Sequence, residues 1–266
     1  NKLKKQNINC KVFLVTHAPF ERERGLINNL IVYLYDLLVG RNTLNKFDKI
    51  LTITKWENPY LEKLGIKKEK IRYTPNGIPK EFFILKKQAK EENKILFLGR
   101  VSPIKNLETL IKAITLIKDK RIILEIVGPL EKEYYNKLNE LIRQLNIAKR
   151  IMFSPAIYDI KEKIRKIDSA KIFVLPSISE GMSQSLVEAM SREKMIIASD
   201  NIGNKDLIED KKNGYLFEVG NEKDLAEKIN ISLVNNSKNK KIKKEAKKYV
   251  KKFSWDKIIK DLEKLF

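Results

Sequence analysis

The sequence predicts an α/β protein built on a doubly wound parallel sheet, for three reasons. Apolar runs of strand length alternate with amphipathic runs of helix length along the whole chain. Six apolar runs follow one another after residue 93, as in parallel sheets that helices cover on both faces. Glycine and proline follow several of these runs, at Gly99, Gly128-Pro129 and Pro176, and mark the strand ends.

The part of the chain before residue 80 contains three predicted strands and two predicted helices. The strands are expected at 11–16, 49–54 and 70–74, and the helices at 26–38 and 56–64. Helical spacing places the following residues on one face of the first helix: Leu26, Leu30, Tyr33, Leu34 and Leu37.

A second, longer series of elements begins at residue 94. Its strands are expected at 94–98, 122–127, 151–153, 171–175, 195–198 and 215–218, and its main helices at 107–117, 132–145, 160–167 and 186–192. The stretch 80–93 is charged and has no clear period, which predicts a domain boundary there. We therefore predict a partial first domain with its linker at 1–88, a second domain at 89–250 and a C-terminal segment at 251–266.

The composition fits a folded core and favours an anionic partner. Of the 266 residues 42% are hydrophobic, and the formal net charge is +21. Charge alone leaves open a phosphorylated substrate, an acidic lipid surface and a nucleic acid. One cysteine excludes an internal disulfide, and no apolar run is long enough to span a bilayer.

The segment 237–252 holds nine lysines and is expected to be a docked helix with a solvated lysine face. The alternative is a dedicated nucleic-acid or membrane patch. The apolar face of this helix is predicted to consist of Ile242, Ala246, Tyr249, Val250 and Phe253.

The stretch from Pro176 to Met190 carries the most information about function. A strand, a glycine-containing loop and a helix N-terminus together favour an anion such as phosphate. Glu180 and Glu188 beside such a site are better suited to accept hydrogen bonds from hydroxyl groups. Phosphate and hydroxyls side by side predict a nucleotide-sugar. The alternative is that Ser185-x-x-Glu188 is a capping box and that Glu180 is an ordinary loop acid.

Four further side chains are candidates for chemistry or for support of the site. Arg100 and Lys105 flank one loop above the sheet, where they would neutralise a diphosphate leaving group; two ordinary surface cations are the alternative. Asn106 is predicted to cap the helix that follows. His17 is the only histidine and ends the first strand, either as a substrate contact or as an ordinary hydrogen-bonded side chain.

Several motifs that would indicate other chemistry are missing from the sequence. It contains no P-loop, no Gly-x-Gly-x-x-Gly fingerprint and no Cys/His cluster for zinc. It also lacks an Asp-x-Asp pair of the kind that holds a divalent cation against a sugar diphosphate. We therefore expect neither a metal nor a cofactor, with positive charge at the phosphates supplied by Arg, Lys and helix dipoles.

Taken in order, the motifs resemble the donor domain of family 4 retaining glycosyltransferases, which have the two-Rossmann-domain GT-B fold. The resemblance covers the chain from about residue 94 onward. The residues that carry it are Gly99-Arg100, Lys105-Asn106, Val127-Gly128, Glu180-Gly181, Ser185-Leu-Val-Glu188-Ala and Asn213-Gly-Tyr-Leu-Phe217. Upstream, 47–54 and 71–77 are similar to the family's approach to its interdomain linker.

The resemblance implies a hexosyltransferase that moves a sugar from a nucleotide-diphosphate donor to a glycan or lipid-linked acceptor. It implies retention of the anomeric configuration, no metal, and a front-face displacement assisted by the leaving phosphate. By this likeness Arg100 and Lys105 hold the diphosphate, Glu180 contacts the donor sugar, and His17 faces that sugar across the cleft. Glu188 accepts from the ribose hydroxyls. The other substrate-binding positions that it implies are Gly99, Gly128, Gly181, Met182, Ser183, Ser185 and Leu186.

Domain roles, partners and location follow from the same likeness. Residues 1–88 would be the acceptor-side domain, 89–250 the nucleotide-sugar domain and 251–266 a helix that crosses back to the first domain. Because many relatives act on lipid-linked acceptors, we expect a cytoplasmic protein that associates peripherally with the anionic inner face of the membrane. We expect no nucleic-acid partner.

The sequence departs from the family in three places. Gly203-Asn204 stands where members often have Gly-Gly, and the loop at 153–156 lacks the usual glycine, so the donor base and sugar stay open. The first domain is shorter than is usual in the family. A donor-binding but inactive fragment or homologue is therefore the main alternative. A nucleic-acid-binding protein is less favoured because no stripe of basic and aromatic residues is present, and a GT-B epimerase because it would not need this motif set.

Overall fold

A computed structural model describes residues 11–17, 25–234 and 236–265, without the side chains of Leu26, Ile27 and Asn29. The chain divides into two compact units. The first is Asn1–Asn76 with Lys257–Phe266, and the second is Gly77–Asp256. The domain limits expected from the sequence, 1–88, 89–250 and 251–266, remain a prediction.

The sheet of the first unit has three parallel strands. In the order in which they pair, these are β1 Phe13–Val15, β2 Lys49–Thr52 and β3 Ile71–Tyr73. All three predicted strands are therefore present in shortened form. The helices of this unit are α1 Gly25–Tyr35, which continues into a π-helical turn at Asp36–Gly40, α2 Arg41–Leu44 and α3 Glu57–Lys63. A small core of Ile50, Leu61 and Ile66 lies between strand and helix.

The apolar face predicted for α1 is largely open to solvent. Leu30, Tyr33 and Leu34 are 58%, 40% and 45% exposed. Helical spacing identifies which residues share a face, but it carries no information about what covers that face.

The second unit holds a six-stranded parallel sheet, which confirms the predicted fold class. Its strands are β4 Lys94–Leu98, β5 Ile123–Val127, β6 Ile151–Ser154, β7 Ile172–Leu175, β8 Met195–Ser199 and β9 Tyr215–Phe217. They lie in the order β6-β5-β4-β7-β8-β9. The order reverses between β4 and β7, and in open α/β sheets the crevice at such a switch point is where ligands bind.

Helices connect these strands and complete the second unit. They are α4 Glu81–Ile84, α5 Leu107–Leu116, α6 Lys132–Gln144, α7 Ile160–Ser169, α8 Gln184–Ser191, α9 Ile202–Leu207, α10 Glu222–Leu233, α11 Ser237–Val250 and α12 Trp255–Glu263, whose residues from Lys257 belong to the first unit. Helix α11 docks as predicted, with Ile242, Ala246 and Val250 buried and most of its lysines exposed. None of the described helices is long and apolar enough to cross a membrane.

A buried ion pair fixes the start of the second unit to its helices. Arg192 donates from Nε to Asp168 Oδ1 at 2.9 Å and from Nη2 to Oδ2 at 2.7 Å. Its remaining N–H groups donate to the carbonyls of Phe82, Leu85 and Lys86. The side chains of the pair are only 5% and 2% exposed. Because all five donors of the guanidinium are used, Arg192 holds the chain around α4 against α7 and α8.

Removal of this guanidinium is expected to destabilise the second unit strongly. Arg192→Met leaves the Asp168 carboxylate buried without its cation, which costs about 3–5 kcal/mol of unfolding free energy. Urea unfolding followed by circular dichroism measures the loss. Arg121→Met is the matched control, because it breaks an exposed pair with Asp119 and should barely move the midpoint. Equal effects of the two substitutions would contradict this account.

Candidate functional site

The loops after β4 and β7 meet at the switch point of the large sheet. Pro176 follows β7 directly and ends it, because proline has no N–H to donate to the ladder. Two residues further, the backbone N–H of Ile178 donates to the carbonyl of Ile104 in the β4 loop at 2.9 Å. This hydrogen bond joins the loop that carries Lys105 to the loop that carries Glu180.

Lys105 and Glu180 form an ion pair at this junction. Lys105 Nζ lies 2.6 Å from Glu180 Oε1, and the side chains are 19% and 10% exposed. The hydroxyl of Ser177 donates to the same oxygen at 2.5 Å. The structure thus brings together two residues that lie 75 positions apart and that the sequence analysis placed at one site.

A buried polar network supports the turn that carries Glu180. The carbonyl of Ser177 accepts from the Ser199 hydroxyl and from Asn201 Nδ2, the latter at 2.9 Å. Asn204 Nδ2 donates in turn to the Ser199 carbonyl at 2.9 Å. Ser177, Ser199, Asn201 and Asn204 are all buried. These hydrogen bonds hold the turn in position, although Asn204 Oδ1 is buried without a hydrogen-bond partner among the described residues.

Two glycines allow backbone segments to approach closely around the site. A Cβ on Gly128, which has φ +148°, would lie 2.0 Å from the carbonyl oxygen of Gly99. A Cβ on Gly203 would lie 2.0 Å from the carbonyl oxygen of Glu180 and 2.5 Å from that of Gly181. The departure at Gly203-Asn204 therefore keeps glycine where the backbone requires it, and the side chain of Asn204 is accommodated by the network.

The second glutamate does not belong to a capping box. Helix α8 begins at Gln184, and its N-cap is Ser183, whose hydroxyl accepts from the N–H of Leu186 at 3.4 Å. Ser185 lies inside the helix, with its hydroxyl 3.2 Å from that of Ser183. A capping box needs the serine at the cap and the glutamate three residues later. Glu188 is five residues after Ser183, so that alternative is wrong.

Glu188 is a buried carboxylate with one oxygen committed and one without a partner. The residue is 5% exposed, and its Oε1 accepts from Lys163 Nζ at 3.1 Å. Its Oε2 is buried and has no hydrogen-bond partner among the described residues. Burial raises the pKa of the Glu188 carboxyl, and the Lys163 ammonium opposes that rise. An uncommitted buried acceptor of this kind is costly unless a ligand donates to it.

Arg100 contacts a different acid from Lys105, and His17 belongs to the other unit. The Arg100 side chain is 68% exposed, and its Nη1 lies 3.8 Å from Glu131 Oε1. His17 is exposed, two residues beyond the end of β1, and belongs to the first unit. Their roles at the site stay predictions.

Asn106 occupies the N-cap position of α5 as predicted, but its side chain makes no capping hydrogen bond to the helix backbone. It adopts the left-handed conformation, with φ 48° and ψ 48°, and its Oδ1 accepts from the Thr109 hydroxyl at 3.0 Å. The N–H of Leu107, the first residue of the helix, donates to the hydroxyl of Tyr134 at 2.8 Å. This contact from α6 satisfies one N–H at the helix start, and spacing along the chain does not reveal it.

Several residues of the site escaped the sequence analysis. They are Lys163, Ser199 and Asn201, whereas Ser177 lay within the stretch 176–190 but was given no role of its own. Lys163 is one of 55 lysine and arginine residues, so its position in the sequence does not distinguish it. Within 11–17, 25–234 and 236–265, no group of three His, Cys, Asp or Glu side chains is placed to hold a metal ion.

The fold and the site define a nucleotide-binding type of α/β domain, with a cation, acids and a helix N-terminus at the switch point. Residues 79–249 match the family described as Glycosyl transferases group 1. The chain belongs to this family.

Relatives and solved structures agree with this assignment. An uncharacterized glycosyltransferase from Methanocaldococcus jannaschii is 27% identical over 272 residues, which cover 96% of this chain and 68% of that protein. A second protein from the same organism is 30% identical over 82% of this chain and 59% of its own length. The crystal structure of HepE from Anabaena with UDP matches with a TM-score of 0.83 and 19% identity, over 99% of this chain and 74% of that one. At 19% identity, this last likeness supports the GT-B fold and no finer assignment.

The close approach at Gly203 predicts a strong effect of a single methyl group. Gly203→Ala forces the Glu180–Gly181 turn to move, and we expect a loss of about 3 kcal/mol in unfolding free energy. Gly220→Ala is the control, since Gly220 has φ +81° but open space around its Cβ position, and should cost about 1 kcal/mol. Urea unfolding compares the two. A Gly203→Ala effect no larger than that of the control would show that the turn tolerates a side chain there.

Proposed function

We propose that this chain carries the donor-binding part of a family 4-type retaining hexosyltransferase. The observation that carries the proposal is the Lys105–Glu180 pair at the switch point, with the uncommitted carboxylate oxygen of Glu188 on the helix that follows. A cation can bind a diphosphate, and carboxylate oxygens can accept hydrogen bonds from the hydroxyls of a sugar and a ribose. The substrate proposed is therefore a nucleotide-diphosphate sugar.

Named relatives support the classes of donor and acceptor. HepE from Anabaena, which shares the fold, has been solved with UDP and glucose. A Campylobacter jejuni relative, 29% identical over 61% of this chain and 45% of its own length, is named as an N-acetylgalactosaminyltransferase acting on a diphospho-undecaprenol-linked acceptor. By analogy, we propose a glycan or lipid-linked acceptor for the protein to which this chain belongs.

The geometry allows Lys105 both to hold Glu180, which would contact the sugar, and to bind the diphosphate. One N–H of its ammonium group is directed at Glu180, and the others are available for phosphate oxygens. As the bond between the sugar and the phosphate breaks, negative charge grows on the diphosphate and Lys105 stabilises it. Arg100, exposed at the same loop, adds a second cation. Because these side chains supply the positive charge, we propose a reaction without a metal.

The remaining roles are proposed from the family resemblance and from the contacts of each residue. Glu180, fixed by Lys105 and Ser177, would accept from the donor sugar hydroxyls, with the backbone around Gly181 and Met182 beside it. Glu188 would accept from the ribose hydroxyls. For retention, we propose that the acceptor hydroxyl attacks on the face that the phosphate leaves and gives its proton to the departing phosphate oxygen. We also propose His17 as a contact to the donor sugar.

Substitution of Lys105 tests this assignment. We expect Lys105→Ala to weaken nucleoside diphosphate binding roughly 10- to 150-fold, the worth of one charge-assisted hydrogen bond at about 1.5–3 kcal/mol. Arg100→Ala should have a smaller effect, because its side chain is 68% exposed. A thermal-shift screen with UDP-, GDP-, ADP- and dTDP-sugars selects the donor, and calorimetric titration then measures affinity.

The exposed Lys112 of α5 provides the matched control for that titration, since Lys112→Ala removes the same charge from a helix surface and should leave affinity unchanged. A folded Lys105→Ala variant with the affinity of the parent protein would remove Lys105 from the donor site. Donor binding without transfer to any acceptor would instead favour the donor-binding fragment.

The lysine face of α11 supports a proposal about location. Exposed on this helix are Lys238, Lys240, Lys241, Lys244 and Lys248. Each basic residue near an anionic lipid surface contributes about 1 kcal/mol of binding, so we propose peripheral association with the cytoplasmic face of a membrane. We expect co-sedimentation with vesicles containing phosphatidylglycerol and none with pure phosphatidylcholine. Equal binding to both kinds of vesicle would contradict the proposal. Separately, we expect no specific nucleic-acid partner.

A further inference from the structure

We propose that Lys163 is a positioning residue for nucleoside recognition. It holds one carboxylate oxygen of Glu188 so that the other, Oε2, stays free to accept a hydrogen bond from a ribose hydroxyl of the donor. The inference rests on the proposed function, and it adds a residue from another helix, α7, to the donor site.

The backbone places Lys163 firmly. It lies in the first turn of α7, the helix that follows β6, and its N–H donates to the carbonyl of Asp159 at 2.9 Å. Asp159 also caps this helix, because its side chain accepts from the N–H of Glu162 at 2.8 Å. The lysine is therefore presented by a capped helix rather than by a loop, and its side chain is 22% exposed.

The contact with Glu188 is asymmetric, and the asymmetry points to a ligand. Lys163 Nζ is 3.1 Å from Oε1, whereas Oε2 is buried without a partner among the described residues. Buried acceptors are normally satisfied, so the open Oε2, on the helix that follows the Glu180 turn, points to a donor that arrives with the ligand. The hydroxyls of a ribose are donors of the required kind.

Lys163 also sets the charge on Glu188. Burial raises the pKa of this carboxyl, and Lys163 is the cation that opposes the rise. At the end of α8 and in the loop before the helix, Arg192 is committed to Asp168 and Glu180 to Lys105. Without Lys163 the carboxyl would take up a proton at higher pH, and nucleotide binding would then require a higher pH.

The test uses the chain with the substitutions Lys163→Met, Lys163→Arg and Glu188→Gln. Lys161→Met is the matched control, because it removes an exposed lysine from the same turn of α7. UDP, GDP and ADP are titrated calorimetrically from pH 6 to 9, and the tightest of them is compared with its 2′-deoxy form. Circular dichroism confirms that each variant is folded.

We expect Lys163→Met to weaken ribonucleotide binding about 10-fold at pH 7, the lower end for one charge-assisted contact. It should also reduce the preference for ribose over 2′-deoxyribose toward that of Glu188→Gln, and move the pH midpoint of binding upward. Lys163→Arg should keep most of the affinity and preference, and Lys161→Met should match the parent protein.

The outcomes separate this inference from the proposed function. If Glu188→Gln loses affinity but Lys163→Met keeps the ribose preference and the pH profile, Glu188 stays in the site and the role of Lys163 is wrong. An equal loss for both sugars without a pH shift also overturns it, since that pattern indicates a phosphate contact or a general structural effect. If no nucleoside diphosphate binds the parent protein, both the proposed function and this inference fail.

Discussion

The site depends on close packing of backbone against backbone at the carboxyl edge of the large sheet. The carbonyl of Gly99 lies where a side chain on Gly128 would be, and the carbonyl of Glu180 lies where a side chain on Gly203 would be. The Ile178–Ile104 hydrogen bond then ties two of these loops together. The constrained loops present Lys105 and Glu180 close together, and Lys105 Nζ lies 2.6 Å from Glu180 Oε1.

Two charged pairs with different properties result from this packing. The Lys105–Glu180 pair is partly open to solvent, so its lysine retains donors for a further anion. In the Lys163–Glu188 pair the glutamate is more deeply buried, and one of its carboxylate oxygens has no partner among the described residues. One pair thus suits a diphosphate and a sugar, and the other suits a nucleoside. The ordinary stability of the domain rests elsewhere, on groups such as Arg192 and Asp168 that are fully used by the protein itself.

The large sheet was predicted well from the sequence, because each of its six strands is a short apolar run with a clear break on either side. The sequence also placed Lys105 and Glu180 at one edge of the sheet, since the residues that follow parallel strands must meet there. That Glu188 shares their site remains a prediction. Prediction from the sequence failed where long-range contacts decide. Asn106 stands at the N-cap of α5 without a side-chain capping bond, while Tyr134 from α6 accepts from the N–H of Leu107. The true N-cap of α8 is Ser183 rather than Ser185. Lys163 could not be found because lysines occur throughout the chain.

A crystal structure of this chain with a bound nucleoside diphosphate tests the central claim most directly. The account predicts the diphosphate against Lys105 and the ribose hydroxyls within hydrogen-bond distance of Glu188 Oε2, with Lys163 still on Oε1. A nucleotide that lies in another cavity, or one whose ribose points away from Glu188, would contradict it.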